Sequence, residues 1–198
     1  MADTGQRSPT ASTGFSFGAT GAYDGNLTSG ASTFGIGSAK THTLSGFAGD
    51  DLPAGATVNG VKVLITARHY IFFTYEAATF TSVKLSLNDG SAYSSDILSS
   101  NQNTTATATE YTFGGATETW GLSWSGFTDI SDLKVEFISA PADGAGNHFF
   151  ITHEVYAQVY YTEAGGGGGG TPTLGSVKLN GAKIQIVSGK FLIEWYLY

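Results

Sequence analysis

Apolar and polar residues alternate with a period of two along most of this chain. Such alternation predicts β-strands that bury one face and expose the other, as antiparallel sheets do. The clearest alternating runs lie at 61–67, 83–87, 133–137 and 155–161. Weaker runs predict further strands at 15–17, 31–36, 40–44, 107–113 and 119–124. The pattern therefore predicts an all-β fold, an antiparallel two-sheet β-sandwich of the jelly-roll-like kind.

A run of six glycines, Gly165 to Gly170, interrupts this alternation. Residues without a Cβ have great backbone freedom and no side chain to bury, so the run predicts a linker. We therefore predict four parts, namely an extended N-terminal arm at 1–14, a β-sandwich domain at 15–164, a glycine-rich linker at 165–173 and a tail at 174–198. The tail is too short to bury a core of its own, so we expect it to dock on something larger.

The tail carries two hairpin signals. Asn180-Gly181 favours a type I′ turn, in which both central residues need positive φ, and Ser188-Gly189 supplies a second turn. These turns predict a three-stranded β-meander with strands at 176–179, 182–187 and 190–198. A sheet this small cannot cover the aromatic residues of its last strand. The predicted partner-binding residues are Phe191, Ile193, Trp195, Tyr196 and Tyr198.

The composition limits the classes of partner. Only 13% of the residues are charged and the net charge is −7, whereas phosphate binding needs a surplus of Lys and Arg, so no nucleic-acid partner is predicted. Cysteine is absent, which removes disulfides and thiolate metal ligands. No apolar stretch approaches the length of a membrane helix, and the first residues lack a secretory signal. We therefore expect no membrane partner and synthesis in a cytoplasm.

No motif in the chain predicts catalysis or a bound cofactor. The glycine run lacks the Gly-Lys-Ser/Thr ending of a phosphate loop, and no Gly-x-Ser-x-Gly elbow stands between a strand and a helix. The four histidines, His42, His69, His148 and His153, lack the spacing of a zinc site. We predict no catalytic residue, no cofactor and no metal. Ca²⁺ stays open because loop carboxylates can bind it, although turn capping is the default role for those residues.

A set of aromatic residues forms the other candidate surface. Residues 69–75 interrupt the alternation with consecutive aromatic side chains, and two tryptophans lie in the region 120–124. Exposed Trp and Tyr rings can stack on sugar rings, and aromatic residues are also enriched at protein interfaces and in cores. The candidate glycan or interface aromatics are Tyr70, Phe72, Tyr75, Trp120 and Trp124.

Several short motifs resemble a jelly-roll-like domain of structural proteins from tailed bacteriophages. These are Arg7-Ser8-Pro9, Tyr23-Asp24-Gly25, Gly46-Phe47, the stretch Pro-Ala-Gly-Ala-Thr-Val-Asn-Gly-Val-Lys-Val at 53–63, and Val-Tyr-Tyr-Thr at 159–162. Residues 177–184 with Trp195 resemble short phage hairpin modules. The aromatic that the family often has as Trp early in the domain is Phe15 or Phe17 here. The resemblance implies a virion location and supplies no catalytic residue.

We therefore expect a non-enzymatic structural protein of a tailed-phage virion, made in the host cytoplasm. Its first expected role is capsid decoration, through strand pairing and aromatic burial against the major capsid protein, other virion proteins or further copies of itself in a homo-oligomer. A tail or fibre component is an alternative within the same class. A carbohydrate-binding adhesin module that recognises surface glycans is the alternative from a different class.

Overall fold

The chain forms antiparallel β-strands over most of the residues that its computed structural model describes. These residues are 1–22, 24, 29–35, 38–48, 51–70, 75–87, 92–143, 146–164, 182–187 and 190–195, with the backbone alone for 34, 75, 76 and the last two ranges. The chain divides into two compact units, Met1–Ala164 and Gly165–Tyr198. No helix among the described residues has the length and apolar character needed to cross a membrane.

The described part of the first unit contains twelve strands. They are β1 (Ala2–Asp3), β2 (Ala11–Thr13), β3 (Ala31–Gly35), β4 (Lys40–Ser45), β5 (Thr57–His69), β6 (Tyr75–Glu76), β7 (Ala78–Leu87), β8 (Ala92–Tyr93), β9 (Gln102–Asn103), β10 (Thr109–Gly114), β11 (Lys134–Pro141) and β12 (Asn147–Thr162). Of these, β5 and β12 are the longest. Two short 3-10 turns lie at Ala19–Ala22 and Ile130–Asp132.

These strands form two sheets. The first has the order β1-β12-β5-β10, with β3 and β6 also beside β12. The second has the order β2-β4-β11-β7-β8, with β9 also beside β7. Every pairing is antiparallel except the two-residue contact of β6 with β12. The predicted all-β, two-sheet β-sandwich is therefore confirmed.

β5 and β12 pair along nearly their whole length. Val63 lies opposite Ala157 and Ile65 opposite Val155, and all four side chains are buried. Their alternation with polar residues places one face of the pair towards the second sheet, since side chains on a strand point to opposite faces in turn. The register shifts between Thr152 and Glu154, which leaves an extra residue on β12, as a β-bulge does.

The core between the two sheets contains a cluster of phenylalanines. Phe80, Phe137 and Phe150 are fully buried, and their ring centroids lie 5.2 to 6.0 Å apart. The pair of Phe80 and Phe150 meets at 83°, the edge-to-face arrangement that the ring quadrupoles favour. The cluster joins β7, β11 and β12, so it holds the two sheets together.

Two predicted strands differ from the fold, and the N-terminal segment pairs with the sheets. The strand predicted at 119–124 is wrong, because Trp120 and Gly121 have φ of 58° and 66° and the chain turns there. The strand predicted at 15–17 is reduced to a single bridge between Phe17 and Ser32. Residues 1–14, predicted as an extended arm, are extended and pair with both sheets through β1 and β2.

The second unit contains two strands among its described residues. β13 (Ala182–Val187) pairs antiparallel with β14 (Lys190–Trp195), and Ile184 lies opposite Ile193. The predicted linker at 165–173, the first meander strand at 176–179 and both predicted turns lie outside the described residues, as do 196–198. The described backbone is thus a hairpin within the predicted meander.

A row of buried polar side chains, linked by hydrogen bonds, lies in the core beside the phenylalanine cluster. The Nε2 atom of His42 lies 2.9 Å from the Ser139 hydroxyl, which lies 3.2 Å from Nε2 of His148. Nδ1 of His42 lies 3.4 Å from the hydroxyl of Thr33. All four residues are buried. Burial, with a smaller contribution from the charge of His148, lowers the pKa of His42 from 6.5 to about 3.

This depressed pKa predicts instability in acid. Because the unfolded chain protonates His42 near pH 6.5 and the folded protein only near pH 3, the free energy of unfolding falls as pH drops below 6.5. Between pH 7.5 and pH 5, His42 alone accounts for about 2 kcal/mol of this loss. Burial also lowers the pKa of His148, which adds in the same direction. Urea unfolding of the intact chain at several pH values measures the loss.

The matched variant is His42→Phe, which keeps an aromatic ring between Phe15 and Phe137 and cannot titrate. Its stability should fall by about 2 kcal/mol less over the same pH interval. An equal pH dependence in the two proteins would show that His42 does not supply the acid sensitivity.

Candidate functional site

A cleft of about 460 Å³ lies where β5 begins. Two segments line it, the start of β5 and a loop that precedes the Ile130–Asp132 turn. Its lining residues are Ala56, Thr57, Val58, Trp124, Ser125 and Gly126. The backbone N–H of Leu52 donates to the carbonyl of Thr128 at 2.9 Å and ties the two neighbouring loops together. A concave site of this size is typical of small-ligand binding.

Trp124 forms the aromatic wall of this cleft, and its ring is partly exposed. Its indole Nε1 donates to the carbonyl of Thr119 at 2.9 Å. Its ring meets that of the buried Phe127 edge-on, with centroids 5.1 Å apart and planes at 88°. These contacts fix the ring before a ligand arrives, so binding costs little further side-chain entropy.

The polar groups of the cleft are hydroxyls. Thr57 and Ser125 are exposed, and each side chain offers one donor and two acceptor positions. The backbone of Thr57 pairs with Thr162 of β12, so the strand ladder holds this wall in place. The cleft therefore combines an aromatic ring with uncharged hydrogen-bonding groups.

Trp120 lies in the core, which corrects its place among the candidate surface aromatics. Its side chain is 2% exposed and its Nε1 donates to the carbonyl of Val61 at 2.8 Å. A positive φ is unfavourable for a bulky residue, so the surrounding contacts must hold Trp120 in it. Gly114 makes room for the ring, since a Cβ there would lie 2.7 Å from Trp120 Nε1. Trp120 thus anchors the loop that carries Trp124.

Sequence reasoning identified Trp124 and missed the remaining lining residues. Thr57 lies just before the alternating run at 61–67 that predicts β5. Nothing in that alternation indicates that Thr57 lies next to residues 124–126. The stretch Ser123 to Gly126, a tryptophan enclosed by serines and a glycine, is the available signal for a loop. Gly126 has a φ of 79°, which such a turn requires.

The other aromatic candidates lie elsewhere. Tyr70 follows the last residue of β5, so it and the cleft lie on the order of 40 Å apart along the strand. Its ring is 47% exposed and lies 6.3 Å from that of Phe149, in an edge-to-face arrangement. Phe72 lies outside the described residues, and of Tyr75 only the backbone, in β6, is described. Of the candidate aromatics with described side chains, Tyr70 and Trp124 therefore lie at opposite ends of β5.

The predicted partner-binding residues belong to the second unit. Phe191, Ile193 and Trp195 lie within the backbone of β14. Tyr196 and Tyr198 lie outside the described residues. The prediction that this strand binds a partner stays a prediction.

Two further histidines and the carboxylate of Asp129 have hydrogen-bonding partners within the fold. Nδ1 of His69 lies 3.1 Å from the Thr104 hydroxyl, and Nδ1 of His153 lies 2.6 Å from the carbonyl of Ser29. Asp129 accepts a 2.8 Å bond from the N–H of Ser131 and so caps the turn at Ile130–Asp132. Within the described ranges, no group of three or more His, Cys, Asp or Glu side chains is placed to hold a metal ion.

Comparison with known proteins gives no sequence relative. No protein-family profile matches the chain, and no curated protein matches it. Solved structures with a similar fold include a CBM32 module of AlyQ in complex with 4,5-unsaturated mannuronic acid, with 15% identity and a TM-score of 0.41, covering 80% of this chain and 98% of that module.

Two further structures are similar at the same level. A truncated AlyQ with CBM32 and alginate lyase domains has 17% identity and a TM-score of 0.41, and the match covers 84% of this chain and 36% of that truncated chain. TmCBM61 in complex with β-1,4-galactotriose has 12% identity and a TM-score of 0.35, covering 70% of this chain and 74% of TmCBM61. These three structures contain carbohydrate-binding modules, one of them together with an alginate lyase domain, and similarity at this level concerns the fold alone.

Proposed function

We propose that this protein is a non-catalytic carbohydrate-binding module and that the cleft at Trp124 is its glycan site. The observation that carries the proposal is the partly exposed Trp124 ring, fixed in a cleft whose polar side chains are hydroxyls. This makes binding of surface glycans the primary function, ahead of virion attachment.

The chemistry of a sugar matches this lining. The C–H groups on one face of a pyranose ring carry partial positive charge and pack against the negative face of an aromatic ring. The sugar hydroxyls then lie at the edge of the stack, where the side chains of Thr57 and Ser125 can exchange hydrogen bonds with them. One aromatic ring and two hydroxyls are enough to bind a single sugar unit. Further units of an oligosaccharide would extend out of the open side of the cleft.

The first test of this function is the variant Trp124→Ala. Buried or stacked tryptophans often dominate binding energy, with losses of about 2 kcal/mol or more on truncation, so affinity should fall by roughly 30-fold or more. Affinity electrophoresis through gels containing neutral polysaccharides such as galactan, mannan, xylan and laminarin measures retention of the intact chain and the variant.

Two further variants accompany this test, a control at Tyr70 and a second cleft variant at Thr57. Tyr70→Ala removes the other described candidate aromatic, at the far end of β5, and should leave retention unchanged. Thr57→Val keeps the side-chain volume and removes one hydroxyl of the cleft, so it should weaken retention while the unfolding temperature stays similar. If Tyr70→Ala abolished retention and Trp124→Ala did not, the glycan site would lie at the Tyr70 end.

A second candidate function is attachment to a tailed-phage virion, as a capsid decoration, tail or fibre protein. The observation that favours it is the separate second unit, in which β13 and β14 pair with each other. A two-stranded hairpin is marginal in water, so contact with a capsid protein or another copy of the chain would stabilise it. This role is compatible with glycan binding by the first unit.

Deletion of residues 174–198 tests the attachment role. The shortened protein keeps the first unit and should stay folded by circular dichroism, because its core lies within Met1–Ala164. It should fail to co-sediment with virions that lack the full-length protein, whereas the full-length chain should co-sediment. Equal binding of both proteins would remove the tail from the attachment mechanism.

A further inference from the structure

The lining of the Trp124 cleft is uncharged. Four of its six residues, Ala56, Val58, Trp124 and Gly126, have side chains without an oxygen, and the other two carry hydroxyls. A ligand carboxylate enters such a site at a cost, because it gives up water without gaining a cationic partner. The first lysine along β5 is Lys62, five residues beyond Thr57, and its ammonium lies 6.0 Å from the ring centroid of Tyr160.

Carboxylates stand on three segments next to this lining. Asp51 and Asp129 are exposed and lie on the two loops that the bond from Leu52 to Thr128 joins. Glu163 is also exposed and follows Thr162, the β12 residue paired with Thr57 of the lining. Negative charges on segments that adjoin an uncharged site repel an anion that approaches within about a Debye length, roughly 8 Å at physiological salt.

The charge of Asp129 persists in weak acid. Hydrogen bonds from the hydroxyl and the backbone N–H of Ser131 lower the pKa of this carboxyl below its usual value. The chain as a whole also has a net charge of −7. Both the three nearby carboxylates and the net charge of the protein therefore disfavour an anionic ligand.

From this arrangement we infer that the Trp124 cleft selects neutral glycans and rejects polymers of uronic acids. The inference rests on the proposed glycan site and names the ligand class of that site. It separates this protein from the similar CBM32 module, whose bound sugar is a mannuronic acid derivative. The selecting groups are the carboxylates of Asp51, Asp129 and Glu163.

The experiment compares neutral and acidic polysaccharides on the full-length protein. Galactan, mannan, xylan and laminarin are the neutral probes, and alginate and polygalacturonate are the acidic probes. Among the neutral hexose polymers galactan, mannan and laminarin, the one that retains the protein best is also oxidised at its C6 hydroxyls to the uronate form, so that one backbone is tested with and without the carboxylate. We expect at least tenfold weaker retention of the protein by the acidic polymers, with part of the loss recovered at high salt.

A variant that lacks the three charges measures how much these carboxylates contribute to the selection. Asp51→Asn, Asp129→Asn and Glu163→Gln together remove the three charges while keeping side-chain size, and Asn remains a good capping residue at position 129. This triple variant should bind the neutral polymer as the natural chain does and should recover retention by the oxidised polymer at low salt.

The outcomes separate the two proposals. Binding of alginate or polygalacturonate as tight as that of any neutral polymer, abolished by Trp124→Ala, would overturn the charge selection and keep the glycan site. Neutral binding that Trp124→Ala does not change would overturn the proposed site. Retention by no polymer of either kind would reject the glycan function, and the inference with it.

Discussion

The pairing of β5 with β12 is the constraint on which the rest of the first unit depends. β1, β3 and β6 pair with β12, and β10 pairs with β5, so the first sheet forms around this one antiparallel pair. The inward residues of the pair pack on the second sheet through the phenylalanine cluster. Two of the candidate aromatics lie near its two ends, Trp124 near Thr57 and Tyr70 after His69.

The site follows from that pair through one loop. The backbone of Val61 accepts bonds from the N–H of Gly115 and from the indole of Trp120, and it donates to the carbonyl of Glu118. These bonds attach the loop that follows β10 to the first half of β5. The chain then turns in the left-handed region and leaves Trp124 at the surface beside the start of the same strand. One buried tryptophan thus positions the exposed one.

Alternation predicts the fold better than it predicts the site. The strands β5, β7, β11 and β12 follow from it, because a half-buried strand needs apolar residues at every second position. The segment 119–124 also alternates, yet the positive φ of Trp120 depends on a hydrogen bond to Val61, 59 residues away. Such a tertiary contact has no local signature. The cleft likewise joins residues 56–58 with 124–126, which only the folded sheet brings together.

The glycan site that we propose consists of Trp124, Thr57 and Ser125. The most direct measurement is a titration of the isotope-labelled full-length protein with an oligosaccharide of the neutral polymer that retains it, followed by ¹H–¹⁵N NMR. We expect shifts of the Trp124 indole N–H and of the backbone amides at 57 and 124–126, with little change at Tyr70 and Phe149. Shifts confined to Tyr70 and Phe149, or to 182–195, would contradict the proposed site.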